Sequence, residues 1–203
     1  MKPLKTIAVA ALLTIAWFGT ALAQFAPTPS PKAFRPTYQA STAGLTNSGL
    51  ATASTSDFFT IQGSATKIVT VTEISCTGTA TALSIADILL IKRSTADTGT
   101  SVTLTNVPND SGSPAATALV KTWATTPTPG TPVGTIRASK FLLAANPTPA
   151  VTPVAPLRWQ FGDSPYEQAV VLRGVAQTLA LGVGAAALAA GAAVNCNVTW
   201  TEN

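Results

Sequence analysis

The chain contains no histidine. Histidine is the commonest general base and metal ligand near neutral pH, so Ser-His-Asp and Cys-His nucleophilic mechanisms are excluded. The acid/base candidates that remain are the carboxylates of Asp57, Glu73, Asp87, Asp97, Asp110, Asp163, Glu167 and Glu202. The closest pair, Asp163 and Glu167, stands four residues apart across a proline-containing loop sequence. Glycoside hydrolysis needs two acids about 5 to 9.5 Å apart in a cleft, and nothing in the spacing singles out such a pair. The stretch 106–113 (NVPNDSGS) is the one loop that resembles an oxygen-ligand supply for calcium, and it reads more simply as an Asx-type turn. No phosphate-binding loop or dinucleotide fingerprint follows a strand pattern. The expectation is a non-enzyme with no catalytic residue, no cofactor and no metal.

Two cysteines, Cys76 and Cys196, carry the other candidate chemistry. Each falls in a strand-like run. A period of two aligns Cys76 with Ile68, Thr70, Thr72 and Ile74, and Cys196 with Val194, Val198 and Trp200, so each cysteine lies on the face bearing the larger apolar groups. In an oxidising compartment such a pair can persist as a disulfide. Two separate buried thiols fit the same pattern, because sequence does not show that the two strands are neighbours.

Exposed aromatics on β-proteins hold sugars, which makes Trp123, Trp159, Trp200, Tyr38 and Tyr166 the binding candidates. Trp159 and Trp200 sit in strand patterns and read as core or sheet-rim residues. Tyr166, in the loop GDSPYEQ, is the candidate surface contact.

The elements that would position these groups follow from composition. Residues 1–23 carry Lys2 and Lys5, an apolar run from Ile7 to Phe18 and the small-residue end Ala21-Leu22-Ala23, the pattern of a secretory signal peptide cleaved before Gln24. The run is about a dozen residues, short of the ~20 of a spanning helix, so membrane association is expected only if the leader is kept. Without Lys2 and Lys5, ten basic residues face eight acidic ones, and only Lys92-Arg93 are adjacent. That spacing does not make a phosphate-tracking stripe, and nucleic acid is excluded as an expected partner.

Residues 24–56, with Pro27, Pro29, Pro31 and Pro36 followed by an aperiodic Ser/Thr/Gly/Ala stretch, read as an extended arm outside the core. From residue 57 to 203, nine β-rich runs alternate with turn signals: DFFTIQG, KIVTVTEISC, SIADILLIKR, TALVKTW, GTIRASKFLL, LRWQFG, AVVLRG, TLALGV and VNCNVTWT. This predicts an all-β fold, a single antiparallel β-sandwich, jelly-roll-like, of about 8–9 strands. The uncharged run 175–194 competes as a membrane span or an Ala-rich helix. Its glycines, with Gln177 and Thr178, favour a hairpin whose strands are 178–183 and 192–200.

With these runs laid out, DFFTIQGSATK, LLIKRSTADTGT, VPNDSGSPAATALVKTW, VGTIR, VVLRGVAQTLAL and VTWTEN resemble, in the same order, a family of uncharacterised all-β proteins encoded by tailed bacteriophages and prophages. The resemblance implies a virion-associated structural module with no catalytic residues, acting as a decoration or fibre-like component through self-association or contact with virion proteins. Two departures stand out: the secretory leader, and the Ala-rich 185–193. The leader points to an exported location, periplasmic or extracellular, instead of a virion. An exported module binding glycans or the cell envelope is the alternative.

Overall fold

A computed structural model describes residues 35–46, 57–123, 125–145, 155–164, 166–185, 187–189 and 191–203. The leader expected at 1–23 lies outside them.

Thirteen strands and no helix occur among the described residues: β1 (Thr37–Ser41), β2 (Leu45–Thr46), β3 (Asp57–Gln62), β4 (Ile68–Ala80), β5 (Ser84–Arg93), β6 (Ser101–Thr103), β7 (Val107–Pro108), β8 (Leu119–Trp123), β9 (Pro132–Ala145), β10 (Leu157–Gln160), β11 (Val170–Arg173), β12 (Thr178–Val183) and β13 (Ala193–Glu202). They form one mixed sheet, curled into a half-barrel, in the order β6-β8-β3-β12-β5-β9-β4-β13-β1-β7. β10 and β11 add to β4, and β2 adds to β13. All pairings are antiparallel except β4 with β9, a short parallel contact at Thr79↔Ala144 and Ala80↔Ala145 that joins the two antiparallel ladders.

All nine strand runs read from the sequence are strands, and β5 and β12 coincide with SIADILLIKR and TLALGV. The count of 8–9 is low because β1, β2, β6 and β7 span only two to five residues each and lie in Ser/Thr/Pro-rich stretches without apolar alternation. Their pairing depends on a neighbour's free edge, which local pattern does not encode.

The arm expected over 24–56 needs correction within 35–46, the part of it that lies among the described residues. β1 runs antiparallel to β13, with Tyr38 opposite Trp200. Tyr38 and Ala40 are buried, and the Tyr38 ring stacks on Trp200 at 5.8 Å between centroids. Its hydroxyl donates to the Pro114 carbonyl (2.8 Å), which satisfies the polar end of a buried ring.

The hairpin expected at 178–200 is also corrected. Both segments are strands, but β12 lies between β3 and β5, whereas β13 lies between β4 and β1. All six β12 residues are buried, and the strand has a partner on each edge. The chain from 184 onward therefore crosses between ladders. Among the described residues no helix is long and apolar enough to cross a membrane.

Strand β4 departs from strict alternation. Its register against β13 slips between Thr199 and Trp200, leaving Thr72 as the extra residue of a β-bulge. The bulge flips the phase. Val69 and Val71 are therefore the core partners of Ile74 and Cys76, and Ile68, Thr70 and Thr72 are only half-buried. The extra carbonyl at Thr72 accepts from the Phe161 amide, and the Thr72 hydroxyl donates to the Thr199 carbonyl.

Candidate functional site

The densest grouping of chemistry-bearing side chains lies in the interior. Asp57 opens β3, Arg93 closes β5, and Asp97 follows in the next loop, facing Gly130 ahead of β9. The Arg93 guanidinium holds Asp57 through two parallel bonds, Nε to Oδ2 (2.5 Å) and Nη2 to Oδ1 (2.8 Å). Its Nη1 donates to the Gly130 carbonyl (2.8 Å), and Nε also stands 3.4 Å from Asp97 Oδ1. That Asp97 oxygen accepts from the Gly130 amide (2.8 Å). Asp97 Oδ2 is buried and meets no donor among the described residues.

The charge balance of this cluster is uneven. Two carboxyl groups share one guanidinium, and both acidic side chains are shut off from solvent. The Asp57–Arg93 fork is neutral by itself, so an ionised Asp97 would add an uncompensated buried charge. Burial is the main force raising Asp97, with the Asp57 carboxylate adding to it; the Gly130 amide and Arg93 oppose, and the balance lies at about 7. Gly130 is constrained by its neighbours, since a Cβ there would sit 2.0 Å from the Thr95 carbonyl oxygen.

A second buried acid, Glu202, is solvated by protein donors. Its carboxylate accepts from the Thr117 and Ala118 amides, the Thr117 hydroxyl and the Trp200 indole, all within 2.7 to 3.0 Å. Burial would raise this carboxyl, but the combined hydrogen bonds outweigh it and hold Glu202 below the ordinary glutamate range. It ties the loop before β8 to the last core strand.

Cys76 and Cys196 form a disulfide, directly opposed across β4 and β13 with Cα atoms 4.2 Å apart. The backbone explains the close approach. Cys196 spends both its amide and its carbonyl on Thr42, on the edge away from β4, so toward β4 it forms a non-hydrogen-bonded pair, the narrow kind in an antiparallel ladder. Both residues are buried.

At the surface, Tyr166 is 98% exposed. Beside its loop, Glu167 pairs with Arg137 (3.3 Å), which lies over the Phe161 ring. Arg158 grips Glu73 through two bonds, which hold that acid below its ordinary range. Trp123, Trp159 and Trp200 are buried, as is Tyr38. The 106–113 segment passes through β7 and ends in a turn: Asp110 accepts from the Gly112 amide, and Asn109 accepts from Gln39. No group of three or more potential metal-binding side chains occurs among the described residues. A shallow cleft of about 290 Å³ lies where β9 leaves β4, lined mainly by small residues including Thr77, Thr79, Ala144, Ala193 and Asn195.

Sequence reasoning named the cysteines and Tyr166 but missed the Asp57–Arg93–Asp97 cluster. The available signal was that Asp57 and Arg93 stand at the ends of strand runs in a chain that is only 10% charged. No family model, curated protein or solved structure matches the chain.

Proposed function

We propose that this chain is a non-catalytic structural or interaction module, its two ladders serving as the faces of a β-sandwich. The observation that carries this reading is the use made of its acids. Seven of the eight are engaged in ion pairs or hydrogen bonds that hold strands and loops together, and the eighth, Asp163, lies near enough to Arg158 to interact with its charge. The resemblance to phage-encoded proteins suggests a virion decoration or fibre-like component. The disulfide suits assembly or residence in an oxidising compartment.

Contact with other copies or virion proteins would use side-chain faces. Leu83 and Ile85, at the turn into β5, are 68% and 65% exposed, more apolar surface than a turn needs. Light scattering on the full chain tests the reading: oligomers that dissociate in Ile85→Glu support it. A strict monomer retained on a glycan array, with retention lost in Tyr166→Ala, would replace it by the exported glycan- or envelope-binding role, which the exposure of Tyr166 favours.

A further inference from the structure

Independently of that role, we propose that the Asp57–Arg93–Asp97 cluster is an acid-tightened latch on the two loops that meet at Gly130. The loops are 94–100, between β5 and β6, and 125–131, between β8 and β9. They are already zipped by backbone bonds: Thr98 and Thr128 exchange amide and carbonyl (3.0 and 2.9 Å), Ser94 donates to the Thr131 carbonyl (2.9 Å), and Thr131 donates to the Thr95 hydroxyl (2.7 Å). The cluster adds the bonds that tie this zipper to the sheet. Asp97 and Arg93 take the amide and the carbonyl of the same residue, Gly130, and Arg93 anchors both to Asp57 on β3.

A proton has a defined place in this arrangement. Asp97 Oδ2 is buried and meets no donor among the described residues, and the Asp57 carboxylate is near enough to raise the Asp97 carboxyl, so one proton held by Asp97 makes two acids and one guanidinium neutral. The ionisable side chains on the surrounding elements are engaged elsewhere. The segment 125–131, β6 and β12 contain no ionisable side chain. On β9, Arg137 and Lys140 pair with Glu167 and Asp87. On β5, Lys92 donates to the Val171 carbonyl, and on β8, Lys121 donates to Gln62.

The sign follows from linkage. In the opened loop Asp97 is solvated and keeps an ordinary aspartate value near 3.9, whereas in the closed latch it titrates at about 7. Closure therefore takes up a proton across that window. Opening becomes about tenfold easier for each pH unit gained up to about 7 and levels off above.

Hydrogen exchange on the full chain, corrected for the intrinsic pH dependence of exchange, tests this. Peptides covering 94–103 and 125–132 should lose at least about tenfold in protection between pH 5 and pH 8, while peptides from β4 and β13 change little. Asp97→Asn keeps the acceptor for Gly130 and supplies a donor without a charge, so its loop protection should be the same at both pH values. Loop protection that is flat in the wild type, or a drop that persists unchanged in Asp97→Asn, overturns the proposal. Should Asp97→Asn fail to fold, carbon NMR of aspartate carboxyls in the wild type decides: one of the five resonances titrating near neutrality supports the latch, and all five titrating in the ordinary acidic range sink it.

Discussion

Reducing the Cys76–Cys196 disulfide should destabilise the fold by acting on the unfolded chain. In the folded state the two cysteines stay opposed whether or not they are bonded, because the β4–β13 ladder runs from Ala193↔Thr79 to Glu202↔Val69 on either side of them. What reduction releases is a closed loop with a sequence separation of 120. In the chain-entropy treatment a loop of that length restricts the unfolded ensemble by about 16 cal/mol/K, or about 5 kcal/mol at 25 °C. Measured values for native disulfides fall at about 2–5 kcal/mol, and a urea slope of about 2–3 kcal/mol/M for a chain of this size converts them to a midpoint shift of about 1–2 M. The assay is equilibrium urea unfolding of oxidised and reduced protein, with the oxidised sample verified as two mass units lighter. A Cys76→Ala/Cys196→Ala variant should fall at or below the reduced wild type, since it also loses buried sulfur. A midpoint shift under about 0.3 M with an unchanged slope would refute the reasoning, because it would mean that the unfolded chain is compact without the crosslink.

Glu202→Gln keeps the shape but offers one acceptor oxygen to a site built from four donor groups, and should cost about 2–4 kcal/mol at pH 7 in urea unfolding. Because the folded Glu202 is held below its unfolded value near 4.3, its contribution is present above that pH and lost as pH falls through the depressed folded value; the wild type and the variant should therefore converge on acidification. Gly130→Ala places a methyl 2.0 Å from the Thr95 carbonyl oxygen, on a backbone whose amide and carbonyl are both held. A loss of at least about 2 kcal/mol in thermal or urea unfolding is expected, and a neutral result would show that the two loops can separate freely.

The strands were legible because each long run carries its own period. Val194, Cys196, Val198 and Trp200 alternate inward along β13, and the uniformly buried β12 is uniformly uncharged. Partnership was not legible. Nothing local in TLALGV says that it sits between β3 and β5, and a bulge at Thr72 costs no unusual residue, so the inward phase of β4 could be read only from its pairing with β13. The same limit hid the buried cluster. Arg93 and Asp97 are close in sequence, but Asp57 and Gly130 reach them only through tertiary structure.

The ends of the sheet constrain how copies can meet. Along the main path the terminal strands are β6, of three residues, and β7, of two with a proline, both too short to template another chain. The long strand β9 has little pairing on its β4 side, but it opens with Pro132, carries register breaks at Val133 and Ile136, and bears Arg137 and Lys140. Bulges, proline and charge are the devices that stop edge-to-edge addition. Self-association by strand exchange, the simplest route for an all-β module, is therefore disfavoured along each of these edges. If copies assemble, their contacts fall on faces and turns such as Leu83–Ile85, and a substitution there should dissolve the assembly without loosening the ladder behind it.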